Sequence, residues 1–309
     1  MNISKKMIMS FIVALTSVVS MAQPYYHIMK EVDGKLIEET GYNGKDYTIK
    51  IDMENRPKDA IGGKITIESD CDWSKYKRSF YFTKNGNVYY NDSEKKFYFE
   101  ESQLDYPKGT YSKNHCGHFR WGRNINECID TGTSLSWADA TEDDFYFANP
   151  DNLGKLQEDL GNEKWAVLSS CEWYYVIQFL GVADWCVDGY HCYLIDTTPN
   201  RELLSELRLM LNQNHPQNLS IEEFNSFEAR GLVCLPFAGY REGSKLCEQG
   251  YLWQGWDWRD QGQGNYWTCT PVTLSNYSDQ LNLNSGGSYL FGYYRSRGCA
   301  VRLVILADD

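Results

Sequence analysis

The amino-acid sequence predicts an α+β protein built mainly from antiparallel strands, with a few helices and long loops. Three observations lead to this class. Short runs of alternating apolar residues recur along the chain, separated by turns rich in Asn, Gly and Asp. Only a few segments show the apolar period of an amphipathic helix. Aromatic residues number 46 among 309, and 23 of them are tyrosines, a composition typical of strands and of recognition surfaces.

The first 22 residues have the three parts of a secretory signal peptide. Lys5 and Lys6 give a positive start, residues 7–19 are mainly apolar, and Ser20 and Ala22 supply small side chains at the −3 and −1 positions before the cleavage point. The apolar run is shorter than the roughly 20 residues that span a membrane. We therefore expect an exported protein without a membrane span, secreted or at the cell surface, with the periplasm as the alternative location.

The chain is acidic, with 42 Asp and Glu against 30 Lys and Arg. Loss of the two signal-peptide lysines leaves 28 basic residues and a net charge of −14. Nucleic acids and anionic membrane surfaces are disfavoured as partners, because phosphate binding needs clustered Lys and Arg. We expect a neutral or basic partner.

The N-terminal part of the mature chain, residues 23–78, contains two strand-like runs, DYTIKID and GGKITIESD. It is small for an independent domain, so it is either a set of extra strands packed on the next unit or a separate module. From residue 79 the strand pattern is denser. FYFTKNGNVYY predicts a hairpin that turns at Asn85-Gly86, and EKKFYFE predicts the following strand. We place the main domain over residues 79–309.

Three helices have clear boundary signals. Ser169-x-x-Glu172 and Ser220-x-x-Glu223 are capping boxes that start two of them, and each of these helices stops at a glycine. The remaining helix follows Pro199. The apolar residues at helical spacing, which we expect to face the core, are Trp173, Val176, Ile177 and Leu180, then Leu203, Leu204, Leu207 and Leu211, and finally Ile221 and Phe224.

The ten cysteines permit up to five disulfides in an exported protein. None forms a Cys-x-x-Cys pair, so a zinc cluster is not expected. Cys171, Cys234 and Cys299 lie inside apolar helix or strand patterns, where a free cysteine behaves as a small apolar residue. The sequence predicts a mixture of a few disulfides and free, buried thiols.

Five segments of the chain resemble, in order, the motifs of one family of exported bacterial proteins. They are NVYYNDSEKKFYFEESQLDY with HFRWGRN (87–124), KWAVLSSCEWYYVIQFLG (164–181), IEEFNSFEARGLVCLPFAGYREG (221–243), GQGNYWTCTP (262–271) and YYRSRGCAVRLV (293–304). Together they cover about residues 79–305 and resemble the Fibrobacter succinogenes major paralogous domain and its exported Bacteroides-type relatives.

This resemblance implies a C-type-lectin-like fold, here preceded by a short N-terminal β segment. The family is distantly similar to the formylglycine-generating enzyme and to the variable receptor-binding proteins of diversity-generating retroelements. The resemblance implies surface or secreted binding modules without a settled activity.

Catalytic motifs are weak in this sequence. It has no Gly-x-Ser-x-Gly elbow, phosphate loop or Gly-x-Gly-x-x-Gly. Cys269 and Cys299 fall where the formylglycine-generating enzyme carries copper-binding cysteines, but their surroundings, YWTCTP and RGCAVRLV, do not match that motif. The resemblance therefore does not carry the oxidase activity over, and we expect no enzyme activity and no cofactor.

Metal sites are equally weak. His115-x-x-His118 has the spacing of half a metal site but lacks a second half, so a polar loop is expected there. Calcium-dependent lectins resemble one another in a Glu-Pro-Asn or Gln-Pro-Asp loop followed by Trp-Asn-Asp. Here the nearest match is Asn149-Pro150-Asp151, without the Trp-Asn-Asp. Calcium needs six to eight oxygen ligands, and none cluster at recognisable spacing.

An aromatic loop is the most informative segment. Residues 247–267, CEQGYLWQGWDWRDQGQGNYW, combine four Trp and two Tyr with Gly, Gln, Asp and Arg. Rigid aromatics bring a large contact area at low entropy cost, and polar neighbours orient a ligand. The alternative is that these rings wedge long loops together. Trp267 is expected in the core because it matches the strand of the family that the chain resembles. The expected ligand-binding residues are Tyr251, Trp253, Trp256, Asp257, Trp258, Arg259 and Tyr266.

Residues 276–294, rich in Asn, Ser, Gly and Tyr, form a second candidate surface, although exposed turns have the same composition. Three functions follow. The first is an exported, non-catalytic binding or adhesion module for a carbohydrate or protein ligand. The second is an oxidase that resembles the formylglycine-generating enzyme. The third is a subunit of a surface fibre, in which residues 23–78 pair with a neighbour's sheet edge.

Overall fold

The computed structural model describes residues 28–32, 35–39, 47–69, 77–91, 93–94, 96–104, 115–119, 156–213, 217–242, 245–247, 262–271, 277–284, 287–294 and 297–308. The predicted signal peptide and the Asn149-Pro150-Asp151 segment lie outside these residues. Within the described ranges, no helix is long and apolar enough to cross a membrane.

The strands in these ranges are β1 (Ile28–Val32), β2 (Lys35–Glu39), β3 (Tyr47–Asp52), β4 (Ala60–Ser69), β5 (Lys77–Thr83), β6 (Val88–Asn91), β7 (Lys96–Phe99), β8 (His115–Cys116), β9 (Trp165–Val167), β10 (Gly181–Val187), β11 (Tyr190–Asp196), β12 (Asn218–Leu219), β13 (Leu232–Pro236), β14 (Tyr240–Glu242), β15 (Lys245–Cys247), β16 (Gly264–Pro271), β17 (Tyr277–Asn284), β18 (Gly287–Tyr294) and β19 (Leu303–Leu306). The helices are α1 (Ser170–Leu180), α2 (Glu202–Asn212) and α3 (Ile221–Arg230), and a 3₁₀ turn, Pro199–Arg201, precedes α2. Residues 156–160 are also helical.

A five-stranded antiparallel sheet in the order β3-β4-β5-β19-β9 brings strands of residues 47–83 together with β9 and the late strand β19. The boundary predicted between residues 78 and 79 falls inside β5. Ile61, Ile65 and Ile67 of β4 are buried in the main core. Residues 47–69 therefore contribute strands to the same sheet as residues beyond 79, and β4 pairs with β5 of its own chain.

The other sheets are smaller. A four-stranded sheet has the order β12-β10-β11-β13, in which only β12 runs parallel to its neighbour. Three-stranded sheets are formed by β16-β17-β18 and by β7-β6-β8, and β1-β2 and β14-β15 are two-stranded. The predicted α+β class with mainly antiparallel strands and few helices is confirmed.

The three helices begin where the sequence predicts. Capping boxes at Ser169 and Ser220 start α1 and α3, and Gly181 and Gly231 follow their last turns. The predicted core positions of α1 are buried, as are three of the four on α2. The prediction for Ile221 is wrong, because this first residue of α3 is 43% exposed.

The predicted hairpin around Asn85-Gly86 is wrong, because β5 and β6 belong to different sheets. Gly86 N donates to Glu100 O (3.0 Å), at the end of β7. The buried guanidinium of Arg302 donates to Thr83 O (3.0 Å) and to Asn85 O (2.5 Å). The Asn-Gly pair therefore carries the chain from one sheet to the next, since long-range partners outweigh its preference for a two-residue hairpin.

The main core lies between the five-stranded sheet, helix α1 and the inner faces of the four-stranded sheet and the β16-β17-β18 sheet. Phe80 and Phe82 of β5 meet Trp173 of α1, with the Phe82 and Trp173 ring centroids 5.9 Å apart. The cysteines with described side chains are free, and most of them are buried, as the pattern around Cys171, Cys234 and Cys299 predicts. These are Cys171, Cys186, Cys192, Cys234, Cys269 and Cys299.

Candidate functional site

Most of the predicted ligand-binding residues lie outside the described residues. These are Tyr251, Trp253, Trp256, Asp257, Trp258 and Arg259. The described ranges do contain Tyr266 and most of the second candidate surface, 276–294, as strands β17 and β18.

Tyr266 is a core residue, so its predicted place in the ligand surface is wrong. Its side chain is fully buried, and its hydroxyl donates to Pro236 O at 2.6 Å. Burial also raises the pKa of the Tyr266 phenol. The alternation of β16 turns Tyr266 toward the apolar core, so a ligand cannot reach it. Trp267 is fully buried as well, which confirms its predicted core position.

The β16-β17-β18 sheet has two chemically different faces. Directly paired residues share a face, and the row Tyr266, Leu281 and Leu290 packs on the main core. The opposite face carries amides and aromatic rings. Its two central rows are Asn265, Asn282 and Tyr289, and Trp267, Gln280 and Phe291.

Hydrogen bonds join the amides of this opposite face into a ladder. Asn282 Nδ2 donates to Asn265 Oδ1 (2.9 Å) and to Gln263 Oε1 (2.5 Å), and Asn284 Nδ2 donates to Asn282 Oδ1 (3.1 Å). Amide groups have both donors and acceptors, so such a ladder fixes the direction of each side chain. Asn265 Nδ2 is buried and has no hydrogen-bond partner among the described residues, so the ladder is left with one unsatisfied donor.

Gln280 places a further amide in the neighbouring row, beside Trp267 and Phe291. Its Oε1 accepts a hydrogen bond from Cys299 Sγ at 3.1 Å, whereas its Nε2 is buried and finds no partner in the described part of the chain. Each unsatisfied donor of this kind is costly in a packed protein. These amide donors provide hydrogen-bonding capacity that the described residues do not use.

The outer strand of the sheet, β18, exposes two large rings. Tyr289 is 51% exposed and Phe291 is 38% exposed, and their alternation places both on the amide face. The eight residues of β18 contain no charged side chain and no proline. Tyr289 and Phe291 therefore present an uncharged aromatic surface beside the amide ladder. We call these two rings and the amides at 263, 265, 280, 282 and 284 the amide–aromatic face. The amides at 265, 280 and 282 are buried in it, and the two rings and the amides at 263 and 284 reach its surface.

Helix α1 fixes the other side of this sheet. The Ser170 hydroxyl, in the first turn of α1, donates to Asp279 Oδ2 at 2.7 Å. The Thr268 hydroxyl donates to Asp279 O at 2.9 Å. All three residues are buried, so these bonds hold β16 and β17 rigidly against the helix. A fixed scaffold of this kind lowers the entropy cost of binding at the opposite face.

The two cysteines considered for oxidase chemistry have different surroundings. Cys299 contacts Gln280, and burial raises the pKa of its thiol. Cys269 lies near Glu172 and Arg78, and burial raises its pKa to about 12. Tyr266 and Ala300 form a parallel bridge, so the two cysteines are offset by four residues, roughly 13 Å along the strands. The structure does not bring them together as a ligand pair.

His118 and Tyr240, the latter within the family-like segment 221–243, are structural residues. His118 is fully buried and its Nε2 lies 3.0 Å from Ala238 O, so it belongs to the core rather than to a polar loop. Tyr240 is buried with the Arg297 guanidinium 3.6 Å from its ring centroid, a cation–π contact. No group of three or more His, Cys, Asp and Glu side chains suited to a metal occurs in the described ranges.

The amide–aromatic face was only partly visible in the sequence. Residues 276–294 were a candidate surface by composition, but the ladder itself was not predicted. Its signal is the alternation in QLNLN, where amides at 280, 282 and 284 alternate with Leu281 and Leu283. The period of two separates an amide face from a leucine face. No family model matches the chain, and no curated protein or solved structure shows significant similarity to it.

Proposed function

We propose that this protein is an exported, non-catalytic binding or adhesion module that recognises a carbohydrate or protein ligand outside the cell. The binding surface in this proposal combines the aromatic loop, residues 251–261, with the amide–aromatic face. Its main support is the exposure of Tyr289 and Phe291 beside an ordered amide ladder. Export rests on the N-terminal signal-peptide pattern.

The chemistry of the amide–aromatic face suits an uncharged ligand. Aromatic rings pack against flat apolar surfaces, such as the C–H face of a sugar ring or an apolar side chain. Gln263 and Asn284, the partly exposed amides of this face, offer donors and acceptors that match hydroxyl pairs and peptide groups. The residues of β18 carry no charged side chain, which favours an uncharged part of a ligand at this strand.

The same proposal assigns a C-type-lectin-like fold to residues 79–309. It rests on the resemblance of five ordered segments to the major paralogous domain family, and it is consistent with the mainly antiparallel α+β architecture. Binding modules without catalysis are what that resemblance implies. The proposal is therefore tested by measuring ligand binding and not enzymatic turnover.

The test uses the mature chain on glycan arrays and in pull-downs of host surface proteins. We expect binding that falls at least tenfold in the double variant Tyr289→Ala/Phe291→Ala, because both rings lose their contact area. A second double variant, Trp256→Ala/Trp258→Ala, tests the loop in the same way.

The matched control is Leu209→Ala on helix α2, where the side chain is 59% exposed and belongs to neither part of the proposed surface. Thermal unfolding must show that all variants are folded. Binding that survives both double variants unchanged would refute the site, and the absence of any ligand on either platform would refute the function.

A further inference from the structure

A second site lies on the four-stranded sheet, at a cavity of about 300 Å³ that the proposed function does not use. Val187, Cys192, Cys234 and Pro236 form the buried part of its lining, from β10, β11 and β13. Ile221, at the start of α3, lines it from the helix side and stays 43% exposed. The exposed position of this isoleucine, against its predicted core role, is explained by its place beside the cavity.

Buried hydrogen bonds hold one wall of the cavity, the segment 102–104. The side chain of Gln103 is buried between Ser102 and Leu104, which both line the cavity. Gln103 Oε1 accepts from Cys234 N (3.0 Å), and Gln103 Nε2 donates to Glu228 Oε1 (2.7 Å) on α3. The wall is therefore tied to both the sheet and the helix, and the cavity is formed before any ligand arrives.

The turn between β10 and β11 also lines the cavity. Asp188 adopts φ 50°, a left-handed conformation, at the first position of an Asp-Gly turn. Asp188 N donates to Leu219 O (2.8 Å) and Gly189 N donates to Asn218 Oδ1 (2.8 Å). These bonds fix the backbone of the turn. Asp188 is an exposed residue that also lines the cavity.

The lining has a distinct chemical character. It combines apolar side chains and two free thiols with the polar residues Ser102, Tyr190 and Asn225, and Cys192 Sγ donates to Trp185 O at 3.5 Å. Burial raises the pKa of the Cys192 thiol, so this part of the lining is neutral. Among the described residues that line the cavity, Asp188 is the one acidic residue and none is basic. The cavity is thus apolar inside with a negative charge at one edge.

We propose that this cavity binds a small amine whose apolar body occupies the space between the sheet and α3 and whose ammonium group faces Asp188. A volume of about 300 Å³ corresponds to roughly ten water molecules, so a ligand of roughly ten non-hydrogen atoms fits. The negative edge and the net charge of −14 in the mature chain select cations over anions. The site is separate from the amide–aromatic face.

Three probes of similar size test the charge preference on the mature chain by calorimetry. These are 2-phenylethylamine, the neutral 2-phenylethanol and the anionic phenylacetate. We expect the amine to bind with a millimolar or lower Kd, the alcohol to bind roughly fivefold more weakly, and phenylacetate not to bind. Failure of all three probes to bind the folded protein would overturn the proposal.

Two variants locate the binding. Asp188→Asn keeps the left-handed turn, which Asn also adopts, and is expected to raise the Kd of the amine to that of the alcohol. Ile221→Ser is expected to raise the Kd of both probes roughly threefold, because it removes apolar contact. Its matched control is Leu209→Ser, a more exposed position on α2 that does not line the cavity. An unchanged amine-to-alcohol ratio in Asp188→Asn would overturn the charge assignment.

Thiol labelling gives a readout that does not depend on affinity. Saturating amine is expected to slow the modification of Cys192 and Cys234 by a small thiol reagent at least roughly threefold, measured by peptide mass spectrometry. Cys171 is also buried but belongs to the main core, so its rate serves as the control and stays constant. Equal protection of all three cysteines would indicate general stabilisation and would contradict binding in this cavity.

Discussion

Gly62 shows how one residue joins two sheets. It has a positive φ of +66° and lies where the β4–β5 register shifts between Ile61 and Ile65. A Cβ atom at this position would lie 1.6 Å from Thr197 Oγ1. That hydroxyl donates to Gly231 O (2.6 Å), and Gly63 N donates to Thr197 O (3.1 Å). The bulge thus brings β4 directly against the end of β11, a contact that only glycine permits.

We expect Gly62→Ala to lower the free energy of unfolding by roughly 3 kcal/mol or more, since strain at positive φ adds to a backbone shift in the core. Gly161→Ala is the matched control. Gly161 has a φ of +71°, but a methyl group added there would meet no described atom within 4 Å, so only strain of about 1 kcal/mol remains. Chemical denaturation of both variants measures the difference. If both variants lose the same free energy of unfolding, the close approach of Gly62 to Thr197 does not contribute to stability.

The contrast between Tyr266 and Trp267 also belongs to the residue scale. Both lie in the same aromatic-rich segment, and composition made Tyr266 a surface candidate. The structure buries both, on opposite faces of β16, because the strand is covered on both sides. The composition shows that aromatic residues are abundant, but it does not predict which face of a strand is buried by other elements.

At the scale of single elements, α1 and α3 start with the same motif in different environments. Both capping boxes are complete, with Ser169 N bonded to Glu172 Oε2 (2.6 Å) and Ser220 N to Glu223 Oε2 (2.8 Å). Glu172, however, is fully buried and forms an ion pair with Arg78 at 3.0 Å. The capping bonds of α3 are exposed to solvent. The first box therefore also neutralises a buried charge, and the second only caps a helix.

Removal of the two carboxylates is expected to have unequal effects. Glu172→Ala should lower the free energy of unfolding by about 3 kcal/mol, because it removes the cap and leaves the Arg78 charge without this partner. Glu223→Ala should cost about 1 kcal/mol, the usual value of a cap. Urea denaturation with constant m-values checks both numbers. If Glu172→Ala lowers the free energy of unfolding no more than Glu223→Ala does, the buried Glu172–Arg78 ion pair adds nothing to the stability that the cap provides.

The helices were predictable because their signals are local. A capping box, an apolar period and a terminal glycine lie within a few turns of one another. The hairpin at Asn85-Gly86 was predicted from a local signal too, and it failed. The choice of β4 and β19 as partners for β5 depends on residues far along the chain, and the turn residues do not encode it.

At the scale of the whole molecule, residues near the two ends of the chain share one sheet. β4 lies on one side of β5, and β19 lies on the other. Ile61, Ile65 and Ile67 bring three buried side chains into the main core. At about 1.5–3 kcal/mol for each side chain, their contribution is comparable with the net stability of a typical domain. The N-terminal strands are therefore part of the fold that carries the proposed sites.

A shortened chain that begins at residue 79 is expected not to fold cooperatively. It lacks β3 and β4 and the first two residues of β5, so the edge of β5 and the inner face of the core become exposed. Circular dichroism on heating and size-exclusion chromatography measure the result, with the mature chain as the reference. A monomeric 79–309 chain with a sharp thermal transition would show that the N-terminal strands are dispensable.

Local patterns in the sequence were sufficient for the α+β class, the helix starts and the buried free thiols, and the resemblance of one strand to a family motif indicated the core position of Trp267. The local patterns depend on side chains that are close together in the chain and on the low solubility of apolar side chains in water. Sheet membership, the exposure of Ile221, the burial of Tyr266, the amide ladder and the cavity beside Asp188 emerged from the folded molecule. Each of them requires residues from distant strands to meet, and the free energy that selects those partners is shared across the whole core.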